Sequence, residues 1–176
     1  MKNFIDKTAI IGDGVEIGTN VTIGAYSVIH PNAKIGNNTN ISSHCIIYSN
    51  TEIGDNNKIY DQVIIGSDPQ DLKFDINKKT FVQILNNNII REHTTIHRST
   101  NEGKPTKIFN NTLVMVNCHI GHDCILGNNV IMTNSSLLGG HCMIEDYAVL
   151  GGNSLIHQHV RIGKLSMTAG GARVSK

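Results

Sequence analysis

Isoleucine falls on every sixth residue through the first third of this chain, from Ile5 through Ile11, Ile17, Ile23, Ile29, Ile35, Ile41, Ile47, Ile53 and Ile59 to Ile65. Neither the helical period of about 3.6 nor the strand period of about 2 produces that spacing. A six-residue repeat is one short strand and one turn, used again and again. Three such units close a triangular coil, and coils stack into a parallel β-helix. The expected fold is therefore all-β, a left-handed parallel β-helix of hexapeptide repeats.

With isoleucine as position 1, position 5 is small or β-branched: Ala9, Val15, Val21, Ser27, Ala33, Thr39, Cys45, Thr51 and Val63. Both positions are expected to point inward. A full isoleucine buried there is worth roughly 1.5–3 kcal/mol against exposure, so the isoleucine ladder is the core. Position 2 is often glycine (Gly12, Gly18, Gly24, Gly36, Gly54, Gly66), and asparagine recurs near the corners. These types are expected there because they tolerate positive φ. Asn38 with Asn56, and Asn110/Asn111 with Asn128/Asn129, lie one 18-residue coil apart and are expected to stack.

The period stops after Gly66, resumes at Ile84, Ile90 and Ile96, and stops again around Ser99 to Lys107. It then runs on from Ile108 to Ile162. One prism of about eight coils is predicted, roughly 40 Å long at the ~4.8 Å spacing of neighbouring strands. Two excursions leave it, over about 67–83 and 98–107. Loops thrown from a rigid scaffold are where function concentrates.

The 176 residues suffice for one domain with a sizeable core. A net charge of +1 with few charged residues gives no nucleic-acid footprint. No apolar stretch is long enough for a membrane span, and Met1–Asp6 lacks a signal-peptide core, so a cytoplasmic protein is expected. Cys45, Cys118, Cys124 and Cys142 all fall on position 5, as buried apolar filler rather than metal ligands or disulfides. No amphipathic helical segment follows the ladder before Lys176. Either the natural chain continues, or a partner covers the open strand edge at that end.

Nine histidines are many for so neutral a chain, and seven lie in its second half: His93, His97, His119, His122, His141, His157 and His159. None takes an inward position, so all are expected on the outer wall and corners, within reach of a ligand; His93 and His159 read as solvated. At 18 residues per coil, Gly140 is one coil from His122 and Gln158 two, and Asp123 lies beneath His141. Histidine titrates near physiological pH, and Asp123 could orient His122 as a general base. Gly140, without a side chain, could offer its backbone N–H to an oxyanion. A base beside an unobstructed donor suits direct acyl transfer without a covalent enzyme intermediate. The histidine spacing does not match a zinc site shared between subunits, as in trimeric γ-class carbonic anhydrases.

Four segments together resemble the UDP-N-acetylglucosamine 3-O-acyltransferases of lipid A biosynthesis: Asn117-Cys-His-Ile-Gly-His-Asp-Cys, Pro69-Gln-Asp-Leu-Lys-Phe, Ile90-Arg-Glu-His-Thr-Thr-Ile-His-Arg and Gly151-Gly-Asn-Ser-Leu-Ile-His-Gln. The likeness runs in order over essentially the whole chain. It implies a homotrimer with sites between neighbours, and transfer of a 3-hydroxyacyl chain from acyl carrier protein to the 3-hydroxyl of UDP-N-acetylglucosamine. It implies His122 as general base, Asp123 as its partner and Gly140 as oxyanion donor. Asp71 and Lys73, with adjacent Gln70, match residues that hold the sugar. His119 and His141 match residues lining the sugar and thioester region, and His97, His157 and Gln158 match positions around the nucleotide-sugar. Met167 and Gly170 fall where the family measures acyl-chain length. No metal or organic cofactor is implied. Members of the family carry a C-terminal helical domain that contacts the carrier protein and the uridine; none lies within these 176 residues. Two other readings remain: a short paralogue acylating or acetylating another nucleotide-sugar from a carrier-protein or coenzyme A thioester, and a non-catalytic β-helix scaffold.

Overall fold

The computed structural model describes residues 2–175, which form a left-handed parallel β-helix. Its strands assemble into three parallel sheets of eight, nine and eight strands. Face A begins with Phe4–Ile5, face B with Ile10–Ile11 and face C with Glu16–Ile17. Each strand pairs with the one a coil later, Ile5 with Ile23, Ile11 with Ile29 and Ile17 with Ile35. The eight-coil expectation holds.

The hexad explains the strands. Positions 6 and 1 form each two-residue strand, the first pointing out and the second in. The inward ladder is sealed: Ile23, Ile29, Ile41, Ile47 and Ile65 have no exposed surface. The coils at the two ends are more open, with Ile5 41% exposed and Val174 only partly buried. The four cysteines are free and buried in the position-5 columns.

Position 4 is the left-handed corner. Twenty non-glycine residues hold φ between 54° and 63° there, among them Asn20, Asn38, Asp123 and Asn129. Histidine and tyrosine take it too, at His44, His93, His141 and Tyr147. Gly66, at the start of the first excursion, has the expected positive φ of 89°, but the other position-2 glycines named above have another purpose. Gly36 keeps an ordinary φ, but a Cβ on it would lie 2.4 Å from the Gly54 carbonyl carbon. Close approach of successive coils excludes a side chain.

Two polar ladders lock the register. Outside, Asn110 Nδ2 donates to Asn128 Oδ1 at 3.0 Å, and Asn20 Nδ2 to Asn38 Oδ1 at 2.9 Å. Inside, buried Asn57 Oδ1 accepts from the Asn88 N–H at 2.9 Å, and Asn88 Oδ1 from the Thr112 N–H at 2.8 Å.

Both excursions leave from face B, after Ile64–Ser67 and Thr95–His97. They return on face C at Val82–Ile84 and Thr106–Ile108. They thus span residues 68–81 and 98–105, slightly shorter than expected because the flanking residues pair as strands. Each replaces the corner between faces B and C. On later coils that corner carries His122/Asp123, then Gly140/His141, then Gln158/His159. Arg98 pairs with Asp68 at 2.7 Å and lies over the Phe74 ring, which braces one excursion against the other.

Candidate active site

His122 takes position 3 of its corner and Asp123 the left-handed position 4, so adjacent side chains turn toward each other. Nδ1 of His122 stands 2.8 Å from Asp123 Oδ2. Burial alone would raise the Asp123 pKa. Hydrogen bonds from His122, Ser99, Thr100 and Asn101 outweigh it and hold the carboxyl well below the usual range. An ionised carboxylate only accepts, so Nδ1 carries the hydrogen and the Nε2 lone pair is free. The His122 side chain is 12% exposed, and Nε2 faces the cleft described below.

Gly140 meets this ring one coil on. A Cβ there would fall 2.4 Å from His122 Cε1 and 2.5 Å from Nε2. Its backbone N–H makes no hydrogen bond among the described residues, for a definite reason. On the corner between faces C and A, the position-3 amides from Thr19 to Asn128 are each taken by an Asn or Asp one coil later, as the Asn37 N–H is by Asp55 and the Asn128 N–H by Asp146. Above Gly140 that place belongs to Gln158, and the donor stays open beside the base.

Two hollows meet at His122. A cleft of about 610 Å³ runs down face B, lined by His97, His119, His122, Gly140, His157 and the apolar pair Leu137 and Leu155. Arg173 and Val174 close its far end. A second recess of about 400 Å³ lies under the first excursion, between Asp71, Leu72 and Lys73 and the corner residues His122, His141 and His159. Gln70 and Gln158 border both. Asp71 Oδ1 accepts the Lys73 N–H at 2.9 Å, which shapes the loop.

His119 and His97 form the wall of the cleft. The His119 Nδ1 shares a proton with Thr95 Oγ1 at 2.8 Å. Burial lowers the His119 pKa, with the His122 charge adding to the effect. His97 differs from the expected exposed histidine: it is 7% exposed, its ring edge-on to His119 with centroids 4.7 Å apart. The first excursion's strand, reaching Ser67, pairs beside it and covers it. Its Nδ1 has no partner among the described residues. Burial, then the neighbouring His119 and His122, push its pKa down to about 4.

His141 lies edge-on to His122 at 5.1 Å and stacks on His159 at 4.5 Å. His93, expected to be solvated, sits exposed on a different corner. Donor atoms of His122, Asp123 and His141 fall within 4.8 Å of one another. The Asp123 oxygens, however, are already filled by five hydrogen-bond donors.

Met167 and Gly170 are not brought into this cleft within one chain. Met167 bridges to Val149 on the outer side of face A and is 75% exposed. Gly170 follows it on the corner between faces A and B. Sequence reasoning missed Ser99, Thr100, Asn101 and the cleft floor Leu137 and Leu155. The floor was readable, because both continue the outward column of face B that runs through His119. The Ser-Thr-Asn run was not, because the excursions break the 18-residue arithmetic.

A prism of hexapeptide coils with an oriented imidazole on one corner defines a hexapeptide-repeat protein of the left-handed β-helix class. The bacterial transferase hexapeptide family (six repeats) matches residues 2–31, 32–67 and 105–140, and the chain belongs to that family. Within it, the chain is similar to the acyl-[acyl-carrier-protein]–UDP-N-acetylglucosamine O-acyltransferases. It is 45% identical over 133 residues to that of Thermodesulfovibrio yellowstonii, covering 75% of this chain and 51% of the relative. It is 48% identical over 135 residues to that of Aliarcobacter butzleri, covering 76% and 52%. Among solved structures, LpxA from Acinetobacter baumannii superposes with a TM-score of 0.92 at 42% identity, covering 96% of this chain and 65% of that one. The UDP-N-acetylglucosamine acyltransferase from Campylobacter jejuni gives 0.88 at 42%, covering 94% and 65%. The chain spans about half the length of the curated relatives it matches.

Proposed function

We propose that this β-helix transfers a 3-hydroxyacyl chain from acyl carrier protein to the 3-hydroxyl of UDP-N-acetylglucosamine. One observation carries the reading: His122, with a free Nε2, stands where an apolar cleft meets a polar, loop-walled recess. The cleft suits an acyl chain, with Leu137 and Leu155 as its floor. The recess suits a sugar, with Asp71 to accept from hydroxyls and Lys73 to face a phosphate or carbonyl. His119, His141, His157, Gln158, Gln70 and His97 surround the junction.

In the reaction, His122 Nε2 removes the proton of the sugar 3-hydroxyl as its oxygen attacks the thioester carbonyl. The Gly140 N–H receives the oxyanion. When the tetrahedral intermediate collapses, the C–S bond breaks. The proton on Nε2 then passes to the leaving thiolate, and His122 is restored. Asp123 stays ionised throughout and stabilises the imidazolium.

The assembly we propose is a homotrimer. Face A carries an unbroken outward column of Ile89, Leu113, Ile131, Val149 and Met167. Leu137 and Leu155 lie on face B of the same coils as Ile131 and Val149. Face A of one copy against face B of the next closes a threefold ring. It would also bring a neighbour's Met167 and Gly170 beside the acyl cleft.

The test is acyl transfer from 3-hydroxyacyl carrier protein to UDP-N-acetylglucosamine, read by mass spectrometry. O-acylated sugar nucleotide is the expected product. A folded protein that forms none, but acylates another nucleotide-sugar or uses coenzyme A thioesters, would overturn the substrate assignment.

A further inference from the structure

The second excursion gives Asp123 an unusual number of partners. Ser99 Oγ donates to its Oδ1 at 2.5 Å and Asn101 Nδ2 to the same oxygen at 2.9 Å. Thr100 Oγ1 donates to Oδ2 at 2.7 Å, and the Thr100 N–H is shared between both oxygens at 3.2 Å. The Asp123 N–H donates to Thr106 Oγ1, at the root of the same excursion. The excursion is itself tied down. Ser99 and Thr106 both donate their N–H to the Phe81 carbonyl, and the Lys79 N–H donates to Glu102 Oε1.

Two histidines compete for this carboxylate. His122 Nδ1 holds Oδ2 at 2.8 Å, while His141 Nε2 stands 3.6 Å from that oxygen. His159, stacked on the far side of His141, is the other titratable group of the corner. A carboxylate free to turn about its last torsion could serve either ring, since such torsions are broad. Donors on Oδ1 from one side and on Oδ2 from Thr100 leave a single plane for the group. In that plane Oδ2 points at His122.

We infer that Ser99, Thr100 and Asn101 are positioning residues: they hold Asp123 in the orientation that serves His122 rather than His141, and so fix His122 as the Nδ1–H tautomer. Thr100 is the main lock, because its Oγ1 is the one side-chain donor of the three on Oδ2, the oxygen that both histidines face. The inference rests on His122 being the base, as proposed above, but its first readout does not depend on any substrate.

Histidine-labelled protein observed by ¹H–¹⁵N NMR reports the tautomer and titration of each ring, with His122 assigned by its loss in His122→Gln. The wild type is expected to show His122 wholly as the Nδ1–H form. In Thr100→Val, and more fully in Ser99→Ala/Thr100→Val, His122 becomes a tautomer mixture and the His141 titration midpoint rises. Thr100→Ser, which keeps the hydroxyl, restores both signals. In acyl transfer, Thr100→Val lowers kcat by about 10–100-fold, the size of the loss when outer-shell partners that orient a metal-bound imidazole are removed, with KM unchanged. Should buried Ser99→Ala impair folding, Thr100→Val alone carries the readout. An unchanged His122 tautomer and His141 titration in folded Thr100→Val overturns the inference, whatever the substrate proves to be. An altered tautomer in a protein inactive on UDP-N-acetylglucosamine supports it and counts against the substrate assignment alone.

Discussion

Gly140 and His122 exclude each other's freedom: the imidazole fills the space that a Cβ at position 140 would need, 2.4 Å from Cε1. The glycine therefore does two things at once. It leaves room for the base and leaves its own N–H uncovered. Gly140→Ala is expected to displace the ring and reduce turnover by roughly 10²-fold or more, comparable with losing an oxyanion donor. Far-UV circular dichroism should be unchanged. Turnover within threefold of wild type would show that the ring is not held there.

His122→Ala removes the base without touching the interior ladder. Acyl transfer is expected to fall by roughly 10²–10⁴-fold, with assembly and thermal unfolding close to wild type. Full activity in this variant would show that another group takes the proton.

His97 makes stability depend on pH. Its folded pKa, about 4, lies below the unfolded value near 6.5, and that of His119 is also lowered. Between these limits the unfolded chain binds protons that the folded chain refuses, so stability rises with pH. The contribution is full above about pH 6.5 and lost as pH falls toward 4. Urea unfolding from pH 7.5 to 4.5 is expected to show the midpoint falling, and His97→Gln to flatten that slope.

The buried Asn57–Asn88 ladder should matter more than any outer pair. Asn57→Ala would leave the Asn88 N–H and the Leu85 carbonyl without their present partners. The buried Asn88 N–H, left as an orphan, costs about 1–3 kcal/mol. Chemical unfolding should show a loss of that order, whereas exposed Asn20→Gly, which removes the outer bond but keeps the left-handed φ of 57° accessible, should change stability by only about 0.5 kcal/mol.

Ile131→Asp tests face A as the contact between copies. The side chain points outward, so the coil should survive. The mass by light scattering should fall from three chains to one. A trimer that persists would place the interface elsewhere.

How much was legible follows from the hexad. A period of six residues states the inward positions outright, so Ile23, Ile65 and the buried cysteines were readable before any coordinates. The same arithmetic placed Gly140 above His122 and Asp123 below His141, because a coil of constant length turns sequence separation into distance. Where the period broke, the arithmetic broke with it. Ser99, Thr100 and Asn101 lie 22–24 residues from Asp123, a separation no regular coil relates. Burial of His97 was hidden for the same reason, since its cover comes from an excursion.

The sequence by itself determined the repeat, and with it the three faces, the core and the corner that gathers the histidines. Only the tertiary structure decided which excursion holds the Asp123 carboxylate, which histidine it serves, and that Gly140 keeps both a free amide and room for a ring. The physical reason is range. The repeat is a local pattern that stacking propagates without further information, whereas hydrogen bonds from irregular loops depend on where two insertions happen to fold back against the prism.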